Sequence, residues 1–384
     1  MAVSVLVGST KGAFVLTSDN SRKDWALSGP HCGGWNINHV LGDPATGMLW
    51  AAGGSDWTGA GVWRSTDNGA TWTLAKLSNG KFYEWLANDP GFAAEIGVQP
   101  DPPAPFTGDV SSIWVLHFAH GRLYAGGKPG VLFASDDMGQ NWQRLSGLNA
   151  HPSAPDWQPG GAGLVLHTIL SAPQDPGKLW VAISAAGVFQ TEDGGETWER
   201  RNRLSNAAAG HAHAHTENAQ CGHETGHCVH NMARAAGAGE VLYQQNHHGV
   251  FRSPDGGRSW DDISGGLPST FGFPIAAHPR DPDTIWTLPL NGDMAGRYPP
   301  DAKAAVWRSR DGGQSWTDLR AGLPQAGCFF TVLRQAMAVD RLDPAGVAFG
   351  TNSGSVFFSA DEGDHWAEIA RHLPTVLGVE IMVR

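Results

Sequence analysis

Ten residues near the middle of the chain, CGHETGHCVH at 221–230, contain two cysteines, three histidines and a glutamate. Thiolate sulfur and imidazole nitrogen are ligands that borderline-soft cations such as zinc and copper prefer. The spacing matches no standard zinc motif built from paired Cys-x-x-Cys elements. A HAHAH run at 211–215 comes first, so the beginning of this region is interpreted as a solvated, histidine-rich loop or lid. His227, Cys228 and His230 adjoin a β-rich run and are the better ligand candidates.

Other histidines recur at one register of the predicted strands. His167 lies 13 residues before Trp180, and His230 lies 13 residues before Tyr243, where each aromatic residue belongs to the following strand. Because equal offsets place side chains at the same height on neighbouring strands, we expect these two imidazoles to converge. His39 lies 11 residues before the corresponding tryptophan, behind a shorter turn, and is expected near them.

The segment QQNHHGVF and the last β-rich segment add His247, a second histidine beside it, and Glu380. We predict a site for a divalent metal, zinc or copper, and its candidate ligands are His39, His167, His230, His247 and Cys228. Three imidazoles with one open coordination position lower the pKa of bound water toward ~7, and Glu380 is then the candidate catalytic proton carrier. The alternative is a wet channel in which these groups bond only to water and carbonyls.

An internal repeat must position these residues. A Ser/Thr-x-Asp-x-Gly-x-x-Trp box occurs as STDNGATW, SDDMGQNW, TEDGGETW, SPDGGRSW, SRDGGQSW and SADEGDHW, and a worn seventh copy is SDNSRKDW. The box tryptophans are 47 to 70 residues apart, close to the roughly 50 residues of a four-stranded propeller blade plus insertions. The Asp carboxylate accepts turn amide protons and Gly supplies a positive φ, so each box predicts a hairpin turn. Seven boxes predict seven blades.

The boxes resemble the Asp-box (BNR) repeats of sialidase-like, sorting-receptor-like and photosystem-assembly-factor-like β-propellers. The resemblance covers nearly the whole chain and implies an all-β fold of seven four-stranded antiparallel blades, but propellers host unrelated chemistries. The chain begins on a second-strand segment, SVLVGSTKGAFVLTS, and ends on an isolated first-strand segment, TVLGVEIMV at 375–383. Their pairing is expected to close the ring and remove exposed sheet edges. We therefore treat 1–384 as one propeller domain.

Long insertions are predicted on one face of the ring. If the strands of each blade are A, B, C and D, the boxes are C-D turns and share a face with the A-B turns. Insertions at 78–111, 149–162 and 205–228 are D-A connections, and 291–304 is a B-C loop, so all four leave from the opposite face. Long loops on a rigid scaffold commonly carry binding or catalysis. The functional site is therefore expected on this loop face, at the mouth of the central channel.

Composition limits the partners. With 26 basic and 37 acidic residues, the formal net charge is −11, which offers no basic surface for nucleic acid or an anionic membrane. No apolar run approaches the roughly 20 residues of a membrane span. We expect a cytoplasmic protein that binds a small-molecule substrate or a peptide.

Two other functions remain open beside a metal-dependent hydrolase or lyase. Sialidase-like enzymes need an arginine triad and a Tyr/Glu nucleophile pair, whereas this chain has only four tyrosines. A glycoside hydrolase with two carboxylates remains an alternative, with Asp56, Glu84 and Asp109 as candidates in or near loops. A non-enzymatic binding or assembly module would use the loop face to hold a peptide. The favoured interpretation is a metal-binding propeller that acts on a small molecule.

Overall fold

The chain forms a seven-bladed β-propeller, as the repeats predict. The structure, a computed structural model, describes residues 2–100, 102–202, 228–237 and 239–384. Within these ranges it contains 28 strands, arranged as seven antiparallel sheets of four strands each. Two short α-helices, both in the insertion at 78–111, interrupt this all-β architecture, and neither they nor any other helix in these ranges has the length and apolarity to cross a membrane.

The elements follow one another in this order: β1 (Ala2–Ser9), β2 (Gly12–Asp19), β3 (Ala26–His31), β4 (Ile37–Gly42), β5 (Leu49–Ser55), β6 (Gly59–Ser65), β7 (Thr73–Lys76), α1 (Lys81–Asn88), α2 (Pro90–Glu95), β8 (Ser112–Ala119), β9 (Arg122–Lys128), β10 (Val131–Ser135), β11 (Gln143–Arg144), β12 (Leu166–Ala172), β13 (Asp175–Ile183), β14 (Gly187–Thr191), β15 (Glu199–Arg200), β16 (Val229–Arg234), β17 (Leu242–Asn246), β18 (Val250–Ser253), β19 (Asp261–Asp262), β20 (Gly272–Ala277), β21 (Ile285–Pro289), β22 (Val306–Ser309), β23 (Thr317–Leu319), β24 (Met337–Val339), β25 (Val347–Gly350), β26 (Val356–Ser359), β27 (Ala367–Ala370) and β28 (Val376–Val383). Blade 1 has the strand order β28-β1-β2-β3, and blades 2 to 7 take the remaining strands in fours, from β4-β5-β6-β7 to β24-β25-β26-β27.

The two ends of the chain close the ring, as predicted. Strand β28 supplies the inner strand of blade 1 and pairs antiparallel with β1, from Val3 opposite Val383 to Ser9 opposite Val376. The apolar residues of this seam are buried, with Val5 and Val7 at 0% exposure. Because β28 covers the free edge of β1, closure removes an exposed sheet edge.

The six complete Asp boxes form the same hairpin turn. In blade 2, the Ser65 hydroxyl donates to Asp67 at 2.8 Å, and Asp67 accepts from the Thr71 amide at 2.9 Å and its hydroxyl at 2.6 Å. These hydrogen bonds, led by the Thr71 hydroxyl, lower the pKa of Asp67 to about 2. Gly69 has a φ of +89°, which a residue with a side chain adopts only with strain. The expected roles of Asp and Gly in the turn are confirmed.

Tryptophans on the second strands fasten neighbouring blades to these turns. Trp50, Trp180 and Trp286 are buried, at 0 to 1% exposure. Their indole N–H groups donate to main-chain carbonyls inside the box of the next blade along the ring, at 2.9 to 3.0 Å. The face that carries the boxes is therefore occupied by interblade packing.

Long connections join the outer strand of one blade to the inner strand of the next, or two strands within one blade. The segments at 78–111 and 149–162 join outer strands to the inner strand of the next blade, and 291–304 joins β21 to β22 within blade 6. The connection at 205–228 leads into β16, but residues 203–227 lie outside the described residues. A further long D-A connection, between β23 and β24, was not among the predicted insertions.

The inner strands carry a β-bulge at one common position. In β12, Leu166 pairs with Ile183 and Thr168 with Ala182, which leaves His167 as the extra residue. The same shift leaves His230 unpaired in β16 and Asn38 unpaired in β4. A bulge bends its strand and changes the direction of a side chain, which is why bulges are common next to functional sites.

The interblade tryptophans should carry a large part of the stability. We expect Trp286→Ala to lower the free energy of unfolding by roughly 3 to 5 kcal/mol, since it removes a buried indole and leaves a cavity. Trp57→Ala is the matched control, because Trp57 is 51% exposed, and it should cost well under about 1 kcal/mol. Urea unfolding of both variants measures the difference, and equal losses would contradict this account of the packing.

Candidate functional site

Three potential ligand side chains meet on the loop side of blade 5. One ligand atom from each of Cys228, His230 and His247 lies within 4.8 Å of the others. We call these three residues the Cys-His-His group. Cys228 and His230 flank the start of β16, and His247 lies in the turn between β17 and β18. The His247 amide donates to the Cys228 carbonyl at 3.0 Å, so main-chain hydrogen bonding sets the spacing of the group.

His230 is held in one orientation and one tautomer. Its Nδ1 lies 2.5 Å from the Gly272 carbonyl oxygen of blade 6. Because a carbonyl only accepts, Nδ1 carries the proton and Nε2 presents a lone pair. His230 is 2% exposed, and burial, followed by the charge of Arg334, lowers its pKa well below the usual value. A neutral imidazole whose other nitrogen donates to a carbonyl is the arrangement typical of metal-binding histidines.

The spacing between Cys228 and His230 fits a shared cation. The Cys228 Sγ lies 3.7 Å from the His230 Nε2. Zinc bonds of about 2.3 Å to sulfur and about 2.1 Å to nitrogen, at a tetrahedral angle, separate the two ligand atoms by about 3.6 Å. The same distance also suits a hydrogen bond from the thiol to the imidazole. Burial raises the pKa of the Cys228 thiol, so the protonated thiol is favoured when no cation is bound.

Aromatic rings from blade 6 pack against the group. His230 contacts Phe271 and Phe273, with ring centroids 5.2 and 4.7 Å apart, and His247 contacts Phe271 at 5.2 Å. Asp293 lies 3.8 Å from the His247 Nε2, at the edge of the group. The rings limit the access of water to one side of the site, which strengthens electrostatic interactions there.

His167 lies outside the Cys-His-His group, although the sequence paired it with His230. Its ring is fully buried, and its Nδ1 lies 2.9 Å from the Thr168 hydroxyl. That hydroxyl donates to Asn231 Oδ1, so it must accept the proton of His167 Nδ1. The His167 Nε2 therefore carries a lone pair and has no hydrogen-bond partner among the described residues, although the Val229 main chain acts on the ring and opposes the lowering of its pKa by burial.

His39 also lies outside the group, because its register differs by one residue. The bulge residue of β4 is Asn38, so His39 matches Thr168 and not His167. Successive side chains of a strand point to opposite faces, so a shift of one residue changes the environment completely. His39 lines the central cavity and accepts a hydrogen bond at Nδ1 from the Leu116 amide at 3.3 Å. Its pKa is lowered by burial to about 4.

Glu380 belongs to the central cavity and not to the Cys-His-His group. The cavity, of about 1120 Å³, is lined by all seven inner strands and includes Glu380, His39 and His167 but none of the three group residues. Burial raises the pKa of Glu380 to about 7. No contact in the described part of the chain links Glu380 to the Cys-His-His group, so the predicted proton carrier shares a cavity with His39 and His167 but not with that group.

Hydrogen bonds cross the channel between distant blades. Gln335 of blade 7 donates to the His167 carbonyl of blade 4, and Asn231 of blade 5 donates to the Arg334 carbonyl at 2.7 Å. These polar contacts fix the inner strands against each other between the cavity and the loop-face group. His227 and the segment at 211–223 lie outside the described residues.

One residue that the sequence reasoning did not assign to the site is Arg334. At His230 its charge adds to the lowering of the pKa by burial, and at Cys228 it opposes burial, which raises the pKa of the thiol. The only signal in the sequence is its position. Arg334 directly precedes Gln335, which lies as far before its second strand as His167 and His230 lie before theirs. An offset reports height along a strand and does not report which neighbouring side chain reaches across.

Neither a protein-family model nor a curated protein matches the chain. Among solved structures, it is similar to the GH74 xyloglucanase from Xanthomonas campestris, with a TM-score of 0.59 and 16% identity over 97% of this chain and 56% of that enzyme. An ancestral GH74 enzyme matches with a TM-score of 0.55 and 16% identity over 87% of this chain and 38% of that one. A structure of YCF48 bound to D1 peptide reaches a TM-score of 0.49 at 14% identity, over 86% of this chain and 81% of that one.

These comparisons support the β-propeller fold and no more. The chain spans little more than half the length of the xyloglucanase. At 16% identity a shared scaffold does not carry a shared reaction, since propellers support unrelated functions. The likeness to YCF48 is too weak to support a conclusion.

Glu380 should make stability depend on pH. Its folded pKa of about 7 lies above the ordinary 4.5, so the folded state retains the proton longer than the unfolded chain. The free energy of unfolding should therefore fall as pH rises from about 4.5 to about 7. Glu380→Gln removes this loss, and at pH 8 the variant should be more stable than the wild type by roughly 1 to 3 kcal/mol.

Thermal or urea unfolding across pH 4 to 8 measures this effect. Glu95→Gln serves as the control, because Glu95 is exposed at the end of α2. A constant difference between the wild type and Glu380→Gln over the whole range would show that Glu380 is not held protonated.

Proposed function

We propose that this protein is a metal-binding β-propeller in which Cys228, His230 and His247 hold one zinc or copper ion, and that it acts as a hydrolase or lyase on a small molecule. The observation that carries the proposal is the orientation of His230. Its Nδ1 proton is engaged by a carbonyl, while its Nε2 lone pair faces the Cys228 sulfur at 3.7 Å. A thiol–imidazole hydrogen bond would account for this pair alone, whereas a bound cation also accounts for the third potential ligand, His247, within 4.8 Å of both.

The donor set fits zinc and copper better than calcium or magnesium. One thiolate and two imidazoles are soft to borderline ligands, whereas calcium and magnesium require oxygen. Zinc and copper both accept this set, so the choice between them is left open. His167, with its unpartnered Nε2, remains a proposed further ligand from the sequence, and His39 has no contact that supports that role.

Three protein ligands leave a coordination position open, which is typical of catalytic sites. When bound, a cation there lowers the pKa of water or polarises a carbonyl group of a substrate. The residues of this chain would contribute in other ways. The Gly272 carbonyl orients His230, and Phe271 and Phe273 limit water on one side of the site.

Three features from the sequence remain proposals. Membership of the Asp-box family is supported by the identical hydrogen bonding of the boxes, as at Ser65, Asp67 and Thr71. A cytoplasmic location and a small-molecule or peptide partner rest on the composition and on the loop-face position of the group. A glycoside hydrolase and a peptide-binding module remain alternatives that the following test separates.

Removal of one proposed ligand should abolish tight metal binding. The purified wild type, dialysed against zinc or copper, should retain about one ion per chain. Cys228→Ser and His247→Ala should each weaken binding by at least roughly 100-fold, because losing even an outer-shell partner costs 10- to 100-fold. Elemental analysis and competition with a chelator of known affinity measure both quantities.

His248→Ala is the matched control, because His248 adjoins His247 but lies outside the Cys-His-His group. It should retain the ion. Metal that remains loosely bound in every variant, or none in the wild type, would favour the binding module. Stabilisation by xyloglucan oligosaccharides that chelators leave unchanged would favour the glycoside hydrolase.

A further inference from the structure

Among the residues that the structure describes, the guanidinium of Arg334 packs on an aromatic ring but has no acidic or hydrogen-bonding partner. Arg334 is only partly accessible, and its Nε is buried without a hydrogen-bond partner. Within residues 2–100, 102–202, 228–237 and 239–384, the structure gives its side chain neither an ion pair nor a hydrogen bond. A cation withdrawn from water is costly unless it is paired, and removing its partner typically leaves a large penalty. An unpaired guanidinium in this position therefore requires an explanation.

Arg334 stands directly beside the Cys-His-His group. Its guanidinium lies over the ring of Phe273, with the central carbon 5.1 Å from the ring centroid, and His230 packs against the same ring at 4.7 Å. Its charge acts on both Cys228 and His230. Its carbonyl accepts a hydrogen bond from Asn231, which anchors its main chain to blade 5. The charge is thus held at the edge of the group.

A second arginine over the Phe273 ring, Arg297, is paired with a carboxylate and serves as a comparison. Arg297 also lies over Phe273, at 5.8 Å, but its Nε donates to Asp293 at 2.6 Å. Asp293 therefore neutralises Arg297. Of the two guanidiniums on this ring, one has a carboxylate of the protein and the other has none in the described part of the chain.

The neighbouring groups do not neutralise Arg334. Asp293 acts on Arg334 only at a distance, because its carboxylate is hydrogen-bonded to Arg297. Burial lowers the pKa of Arg334 only to about 10, so the guanidinium remains charged. A second polar atom without a partner, the His167 Nε2, also lies within the electrostatic reach of Arg334. Two unsatisfied polar groups in one region favour an external ligand.

We propose that Arg334 is an oxyanion-binding residue beside the Cys-His-His group, and that the small molecule bound there carries a carboxylate or phosphate group. A guanidinium presents a planar fork of donors that matches either anion with two parallel hydrogen bonds. The aromatic face of Phe273 holds the fork in place. Anion binding by Arg334 does not require a metal, whereas the identification of the anion as part of a substrate rests on the proposed function.

The test uses inorganic phosphate and oxalate as probes, with sodium chloride at matched ionic strength as the reference. Binding to the full chain is measured by calorimetry and by the shift in Tm, first after chelator treatment and then with zinc present. At least one probe should bind and raise the Tm more than chloride does. Binding of phosphate alone or of oxalate alone identifies which anion the substrate carries.

Arg334→Gln should weaken binding of that probe at least tenfold, whereas Arg320→Gln, which removes an exposed charge paired with Asp318, should leave it unchanged. Arg334→Lys keeps the charge and loses the fork, so it should bind with intermediate affinity, and it provides the test if Arg334→Gln does not fold. Equal affinities for the wild type and both Arg334 variants would overturn the proposal, as would binding of neither probe by the wild type.

The two proposals fail in different ways. Cys228→Ser should lose zinc but retain anion binding after chelator treatment. If the wild type binds no zinc while its anion affinity still depends on Arg334, the metal centre is wrong and the oxyanion site stands. If zinc binds with the expected stoichiometry but Arg334→Gln leaves anion affinity unchanged, the metal centre stands and the oxyanion site is wrong.

Discussion

Three of the seven interfaces between blades share one contact, in which an indole N–H on the second strand of a blade donates to a carbonyl in the box turn of the next blade. Trp50, Trp180 and Trp286 each make it with a buried ring. The carbonyl is correctly placed only if the turn is rigid. In blade 2 the Ser65 hydroxyl accepts from the amide of the left-handed Gly69, and the Asp67 carboxylate accepts from the Thr71 amide, which provides that rigidity. The repeated boxes are therefore explained by their part in the packing between blades.

This packing occupies the face of the ring that carries the box turns. The long connections lie on the opposite face. The inner strands run between the two faces, and their bulges lie toward the loop face, before the polar crossing at Thr168 and Asn231. A bulge residue is released from the pairing of its strand and can turn toward a neighbour. In blade 5 that residue is His230, and the carbonyl it reaches, Gly272, belongs to blade 6. The scaffold therefore positions the imidazole with main-chain atoms, which do not depend on side-chain packing.

The fold was predictable because every blade repeats the same local chemistry. The candidate site was predictable only in part. Cys228, His230 and His247 were among the predicted ligands. Cys228 and His230 lie at the start of one inner strand, and His247 lies in a short turn of the same blade, so their positions follow from local sequence. His39 was misaligned by one residue, because a bulge changes the offset between paired strands and has no signature in residue counts.

Contacts between blades were the part that residue types and spacing did not reveal. Arg334 reaches the group from blade 7 across Phe273 of blade 6, and no repeat or offset encodes such a contact. Likewise, Glu380 occupies the inner strand of blade 1 as predicted, yet it faces the cavity. Strand register determines the height of a side chain, but only the packed ring determines which compartment it enters.

The presence of a cysteine in the Cys-His-His group is consistent with the positive charge of Arg334 near it. A dication held by three neutral imidazoles would keep a charge of about +2 next to Arg334, and two such charges repel strongly where water is limited. A thiolate from Cys228 lowers the charge of the centre by one. The remaining positive charge of the centre and of Arg334 then favours an anionic ligand, which neither the Asp293–Arg297 pair nor any aromatic neighbour supplies. With the proposed cation bound, a cysteine in place of a third histidine and an arginine that has no ion pair in the described part of the chain would be two parts of one electrostatic arrangement.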